Sequence, residues 1–115
     1  MTEIERVSDL EEAIHVHEAV AVLFTRDDSP ESVDLKPRVR RLLRRFPNIR
    51  LYHVGVDRHP TAASEFLVYE VPTIIVYYRG KPFLKHVGGF YLPDLREELG
   101  RFAAKQADGG APGSD

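Results

Sequence analysis

Two serines, placed where a predicted strand gives way to a predicted helix, are the first residues whose position could support chemistry. Ser29 and Ser32 follow a buried strand predicted over residues 20–25 and open a helix predicted over residues 30–45. A serine hydroxyl can act as a hydrolytic nucleophile when a base lies within hydrogen-bond reach and a third group orients that base. Ser29 before Pro30 is also a typical helix start, because serine caps the free N–H groups and proline lacks one. The sequence favours a helix cap over a nucleophile.

A row of cations on the same predicted helix is the second candidate site. Six of the ten residues 36–45 are basic, namely Lys36, Arg38, Arg40, Arg41, Arg44 and Arg45. Such a basic patch could bind phosphate, RNA or an acidic partner. No aromatic residue interleaves with these cations. A solvated helix face is therefore favoured, and nucleic acid is not an expected partner.

Composition limits the chemistry that the chain can perform. The chain has 115 residues, of which 43% are hydrophobic and 30% charged, with a formal net charge of −2 and no cysteine. One domain with a sizeable core is expected, and thiol catalysis, disulfides and thiolate metal sites are excluded. The five histidines are scattered and join no carboxylate cluster, so we expect neither a metal site nor a cofactor. With no apolar run near the roughly 20 residues of a membrane span and a polar N-terminal segment, a cytoplasmic location is expected.

Hydrophobic patterning predicts an α/β chain with the element order β-α-β-α-β-α-β-β-α. The predicted strands cover residues 4–7, 20–25, 49–56, 74–78 and 82–87, and the helices open at Ser8 (as a capping residue), Pro30, Thr61 and Leu92. This order predicts a central mixed sheet with helices on both faces. Residues 1–106 form this predicted domain, and residues 107–115, which are poor in apolar side chains, form a predicted flexible tail.

This arrangement resembles the thioredoxin fold, and several motifs fall at that family's spacing. Counted from Phe24, Ser29 and Ser32 occupy the two positions of the family's Cys-x-x-Cys pair, and Pro37 matches a proline that kinks the following helix. The other matching motifs are Val56-Asp57 with Pro60, Val71-Pro72-Thr73, Arg79-Gly80-Lys81 and Val87-Gly88. The resemblance covers residues 4–102, and within the family the chain is similar to small bacterial thioredoxin-like proteins.

The resemblance implies a degenerate redox site beside a peptide-binding groove. In the family, a cysteine thiolate attacks a substrate disulfide, which the hydroxyls of Ser29 and Ser32 cannot do. Leu23 stands where many members carry a buried, proton-transferring aspartate. The family also implies a cis peptide bond before Pro72, where the exposed backbone pairs with an extended peptide. The residues that this resemblance assigns to the groove are Asp28, Val71, Pro72, Thr73 and Gly88.

We therefore predict a thioredoxin-like protein that is not an enzyme and that binds a protein or an extended peptide partner in the groove. One alternative is an oxidoreductase family member whose cysteines were lost or were replaced by Ser29 and Ser32. A second alternative is an anion- or nucleic-acid-binding module that uses the basic helix. His53, in the strand beside the turn, could lie behind the serines as a base, although a plain strand residue is favoured. The sequence predicts no oligomeric state.

Overall fold

A computed structural model describes residues 1–108, which form one five-stranded sheet and four helices. The strands are β1 (Thr2–Glu3), β2 (Ala19–Thr25), β3 (Arg50–Gly55), β4 (Thr73–Tyr78) and β5 (Lys81–Val87). The helices are α1 (Val7–Val16), α2 (Pro30–Leu43), α3 (Pro60–Glu65) and α4 (Leu92–Ala107). None of these helices is both long enough and apolar enough to cross a membrane.

The strands lie in the order β1-β3-β2-β4-β5. β1, β3 and β2 run parallel, whereas β4 is antiparallel to β2 and β5 is antiparallel to β4. The carboxyl ends of β2 and β3 therefore share one edge of the sheet with the amino end of β4. This edge carries the turn before α2 and the segment before β4. The predicted element order and the mixed sheet are confirmed.

The two faces of the sheet are covered by different helices, as the alternation along β2 requires. Ala21 and Leu23 belong to a core cluster that α2 and α4 cover, and Val22 and Phe24 belong to a second cluster beneath α1 and α3. All seven residues of β2 are buried. The prediction of a strand covered on both faces, with helices on each side, is confirmed.

The first strand and helix differ from the prediction. The predicted strand over residues 4–7 is wrong, because β1 ends at Glu3 and α1 already begins at Val7. Ser8 is not the cap; Arg6 occupies that position and makes no side-chain capping bond. An earlier start lets the half-buried Val7 pack on the cluster beneath α1, and this packing outweighs the local capping signal.

The last helix ends later than predicted. α4 continues to Ala107, the first residue of the predicted tail, and residues 109–115 lie outside the described residues.

The β4–β5 hairpin forms one border of the sheet. Its turn contains two residues with left-handed backbone, Arg79 at φ +51° and Gly80 at φ +85°. The ladder has an irregularity at Val76 and Tyr77, so that Tyr77 pairs with Pro82. Most of β5 is exposed, and Lys85 donates a hydrogen bond from Nζ to the carbonyl of Leu67 at 3.0 Å.

Candidate functional site

The turn between β2 and α2 is closed by the hydroxyl of Ser29. Ser29 has an extended backbone, with φ −100° and ψ 111°, and its Oγ accepts a hydrogen bond from the Ser32 N–H at 3.2 Å. Pro30 is the first residue of the helix. The prediction that Ser29 caps this helix is confirmed.

The second serine points inward and holds the backbone of the turn. Ser32 is 1% exposed, and its Oγ accepts a hydrogen bond from the Arg26 N–H at 3.3 Å. Within residues 1–108, neither serine hydroxyl forms a hydrogen bond to a histidine or a carboxylate. Because a serine nucleophile needs such a base, the geometry gives both serines a structural role.

Two ion pairs cover the outer side of the turn. Arg26 holds Asp28 with a two-pronged contact, Nε to Oδ1 at 3.0 Å and an amino group to Oδ2 at 3.2 Å. This hydrogen bond lowers the pKa of Asp28 and raises the pKa of Arg26. Arg58 reaches Asp27 at 3.1 Å. Asp28 therefore lies exposed at the surface predicted for the groove, but its charge is already paired with Arg26.

His53 forms a buried chain of hydrogen bonds with residues other than the two serines. Its Nε2 lies 2.6 Å from Thr25 Oγ1, and its Nδ1 lies 2.5 Å from Glu3 Oε2. A carboxylate can only accept, so the Nδ1–H donates to Glu3 and the Thr25 hydroxyl donates to Nε2. This order matches that of a hydrolytic triad, yet Thr25 and His53 are only 3% and 4% exposed. The burial of the hydroxyl closes it to a substrate.

Burial sets the ionisation of this chain. It lowers the pKa of His53, and the opposing effect of the Glu3 carboxylate does not cancel that shift. Burial alone would raise the pKa of Glu3, but hydrogen bonds to His53 and Lys36 outweigh it and lower that pKa. A neutral imidazole between Thr25 and an ionised Glu3 is the state that these shifts favour.

The segment before β4 exposes main-chain groups beside the turn. The Val71–Pro72 peptide bond is cis. Thr73 pairs with Phe24 on one side and with Val87 on the other, so Val71 lies between the end of β2 and Gly88. Within residues 1–108, neither the N–H nor the carbonyl of Val71 forms a hydrogen bond.

Three other residues assigned to the groove, Pro72, Thr73 and Gly88, are less accessible than Val71, which is half-buried. Pro72 and Thr73 are buried, and the Thr73 hydroxyl donates to the Glu70 carbonyl at 2.6 Å. Gly88 is also buried, at φ +73°, and a Cβ atom there would collide with Glu70 Oε2. The neighbouring Gly89 lies close to Glu31, whose Oε2 would be 3.2 Å from a Cβ at that position.

Two free carboxylates therefore cover the two glycines. Neither Glu31 nor Glu70 forms an ion pair in the described part of the chain, and both residues are exposed. Asp28, close by in the sequence, is neutralised by Arg26. The groove is thus apolar and main-chain in character at Val71 and negatively charged at Gly88 and Gly89.

A small pocket opens next to Val71. Its volume is about 150 Å³. The lining consists of Arg26, Val56, Ala63, Val68, Tyr69, Glu70 and Val71. Tyr69 is 85% exposed, and Val87 on the other side of the groove is 49% exposed. Tyr69 and Val87 therefore present apolar surface to solvent on the two sides of Val71.

The cations predicted as one basic patch are distributed over different surroundings. Lys36 pairs with Glu3 at 3.3 Å. Arg40 and Arg44 lie beside Ile49 and Leu51. Arg41 and Arg45, by contrast, line a cavity with Arg38 and with residues of α4. The part of the chain that the structure describes holds no cluster of metal-ligating side chains.

Glu3, Glu70 and Arg96 shape these sites and were not identified from the sequence, whereas His53 was named there as a possible base. The period-two alternation of β3 places His53 on the same face as the buried Leu51, which is a signal that His53 needs a buried partner. Glu3 lies 50 residues away from His53 in the chain, and nothing local pairs the two. Glu70 and Arg96 likewise reach their sites only through strand register and helix packing.

Known proteins that are similar to this chain in sequence or structure are thioredoxins and thioredoxin-like proteins. The chain is similar to the thioredoxin-like protein YdfQ of Bacillus subtilis, with 27% identity over 101 residues that span 88% of this chain and 90% of the relative. It is 31% identical to thioredoxin Asp f 28 of Aspergillus fumigatus over 68 residues, 59% of this chain and 63% of that protein. Its structure is similar to that of Fasciola hepatica thioredoxin, with a TM-score of 0.79, 25% identity and coverage of 88% and 98% of the two chains. No protein-family model matches the chain.

Proposed function

Because this chain belongs to the thioredoxin superfamily and yet contains no cysteine, we propose that it binds an extended segment of a partner protein without redox chemistry. The binding site in this proposal is the groove around Val71, flanked by Gly88 and by the pocket beside Tyr69. The fold supplies a platform for it, since only Pro72 separates Val71 from the interior strand β4.

The observation that carries the proposal is the pair of unpaired main-chain groups at Val71. A backbone N–H and carbonyl that lack an internal partner can hydrogen-bond an extended peptide, as in strand addition. Val71 is only half-buried, whereas the main chain of β4 that follows is already paired on both sides. Val71 is therefore a place where the main chain can accept one further strand-like segment.

The pocket beside Val71 adds a position for a side chain of the partner. Its floor is apolar, formed by Val56, Ala63 and Val68, and its volume of about 150 Å³ suits one aliphatic or small aromatic side chain. Successive side chains of an extended peptide point to opposite sides. If one side chain enters the pocket, its neighbour faces the other side of the groove, towards Gly89 and the carboxylate of Glu31. Glu70 lies between the two sides, because it lines the pocket and also approaches Gly88.

The charge at that side supports a basic partner. Glu31 and Glu70 lie over Gly88 and Gly89, and the structure pairs neither of them with a cation within the described residues. A lysine or arginine in the peptide would neutralise these groups, whereas a carboxylate would be repelled. We therefore propose a preference for an apolar residue next to a basic one. We also propose a cytoplasmic location for this role.

The test uses an array of short immobilised peptides that carry lysine, glutamine or glutamate at one fixed position. Labelled protein should bind best to peptides with lysine. Reversal of both charges, in the variant Glu31→Lys/Glu70→Lys, should weaken that binding roughly tenfold, since each exposed pair contributes up to about 1 kcal/mol. The matched control reverses Glu5 and Glu12, which are also exposed.

A second measurement locates the bound peptide. In a spectrum of the ¹⁵N-labelled protein, the Val71 amide signal should shift when a peptide selected from the array is added. Binding that leaves this signal unmoved, or that weakens equally in both charge-reversed variants, would show that the groove is not the site.

The alternative, an oxidoreductase that has lost its cysteines, is supported by a different observation. Ser29 is half-buried and Ser32 fully buried three residues later, at the start of a helix. An attacking thiol needs access and a helix N-terminus, and the resolving thiol can be buried. Restoring both cysteines therefore tests this alternative separately from peptide binding, which needs neither hydroxyl.

A further inference from the structure

A cavity between α2 and α4 lies apart from the groove and is surrounded by arginines. Its volume is about 320 Å³. The lining residues are Arg38, Arg41, Leu42, Arg45, Leu92, Pro93 and Arg96. The lining positions 38, 41 and 42 of α2, together with Arg45 just after the end of the helix, follow the i, i+3, i+4 and i+7 spacing of a single helix face. Arg96 lies one turn after Leu92 on α4 and completes the ring of cations.

The positive charge of this cavity is largely uncompensated. Arg38 contacts Asp34 at 3.3 Å on the surface of α2. Within residues 1–108, Arg41, Arg45 and Arg96 form no ion pair, and no carboxylate belongs to the lining. Four arginines line one cavity, and their like charges repel each other less when an anion lies among them. The cavity is thus built for a negatively charged occupant.

The geometry points to a small organic phosphate, and we propose that this cavity binds a phosphate monoester with a compact apolar body. A planar guanidinium matches phosphate oxygens with two parallel hydrogen bonds. Leu42, Leu92 and Pro93 give the cavity an apolar floor that inorganic phosphate alone would leave uncovered. The volume lies at the lower end of the range for small-molecule sites.

The first turn of α4 borders the cavity. Leu92 and Pro93 are its first residues, and Tyr91 at the capping position makes no side-chain hydrogen bond to the free N–H groups. The first turn of this 16-residue helix therefore lines the cavity without a capping side chain, and its only acidic residue, Asp94, is not part of the lining. No aromatic residue lines the cavity, so it offers no stacking surface for the bases of single-stranded nucleic acid.

The test measures binding of naphthyl phosphate by calorimetry, with inorganic phosphate as the probe that lacks an apolar body. The cavity variant is Arg41→Gln/Arg96→Gln. The matched control is Arg40→Gln/Arg44→Gln, which removes the same charge from another side of α2. Both pairs are exposed, so both variants should retain the fold, as a thermal melt would verify. Phosphatidylcholine vesicles with phosphatidic acid present the same monoester on a lipid, and a thymidine oligonucleotide presents phosphodiesters.

We expect saturable binding of naphthyl phosphate, weaker binding of inorganic phosphate, and roughly tenfold weaker binding in the cavity variant. The control should change affinity by less than about twofold, because its arginines lie outside the cavity. Vesicle binding that follows the same variant pattern would identify a lipid as the source of the monoester. An equal loss in both variants, preference for the oligonucleotide, or no saturable binding of naphthyl phosphate would each overturn the proposal.

Discussion

The hydrogen-bond chain at His53 predicts a measurable coupling between two buried residues. Replacing Thr25 by valine keeps its shape but removes the hydroxyl that donates to His53 Nε2 at 2.6 Å. Replacing His53 by leucine leaves the same hydroxyl without its partner. Each single change therefore strands one buried polar group, whereas the double change Thr25→Val/His53→Leu strands neither. Glu3, whose side chain is 57% exposed, keeps its contact with Lys36 and its access to solvent.

The magnitude follows from the burial of the two partners. Thr25 and His53 are 3% and 4% exposed, so water cannot replace the lost bond. An unsatisfied buried donor or acceptor costs about 1–3 kcal/mol, and we expect a loss of this size from Thr25→Val. His53→Leu should cost at least as much. The double variant should be more stable than the sum of the single losses by about 1–2 kcal/mol.

Urea unfolding at pH 8, where His53 is neutral, measures all four proteins of this cycle. The slope of the free energy of unfolding against urea concentration should be the same in all four proteins. A variant with a different slope would indicate a change in the unfolded state. Strictly additive losses would refute the reasoning, because they would mean that the hydroxyl and the imidazole are not bonded to each other.

Three further predictions follow. Burial lowers the pKa of His53, so near pH 6.5 the unfolded chain binds a proton that the folded chain does not. The free energy of unfolding should therefore fall as the pH drops below 6.5, by up to about 1.4 kcal/mol per pH unit, and it should fall less steeply in His53→Leu. An equal pH profile in both proteins would contradict this. The variant Ser29→Cys/Ser32→Cys should reduce insulin disulfides in the presence of dithiothreitol if the turn retains the family's geometry, and inactivity of the folded variant would exclude the lost-enzyme alternative. Gly88→Ala should lower the free energy of unfolding by about 1–2 kcal/mol in urea melts because of its φ of +73°. The exposed Glu70 side chain can move away from the new methyl group, so we expect the same loss in a Glu70→Ala background, and an unchanged stability would contradict the backbone argument.

The regular parts of the fold could be predicted from the sequence because their signals are local. The apolar run of β2, the helical stripe of α2 and the Ser29-Pro30 start depend on neighbours a few residues apart. The prediction at Ser8 is wrong for the same reason. A capping pattern is a local signal, and burial of Val7 against distant residues overrides it.

The site was less predictable, because strand register and helix packing decide which side chains meet. The spacing of the cations already divides them into two groups. Positions 36, 40 and 44 follow one row of a helix, and positions 38, 41 and 45 follow another. What no spacing contains is Arg96 across the cavity, or Glu70 over Gly88. Such encounters join elements that are distant in the chain.

The borders of the sheet have a consequence for how the protein behaves at high concentration. An exposed strand edge can recruit the strand of another molecule and start aggregation. Here β1 is only two residues long, and β5 carries Lys81, Pro82 and Lys85 opposite an irregular ladder. Proline offers no N–H for pairing, and the lysines of two molecules would repel each other if their β5 strands paired. Both outer borders therefore discourage sheet extension between molecules, and strand-like pairing is left to the short interior segment at Val71.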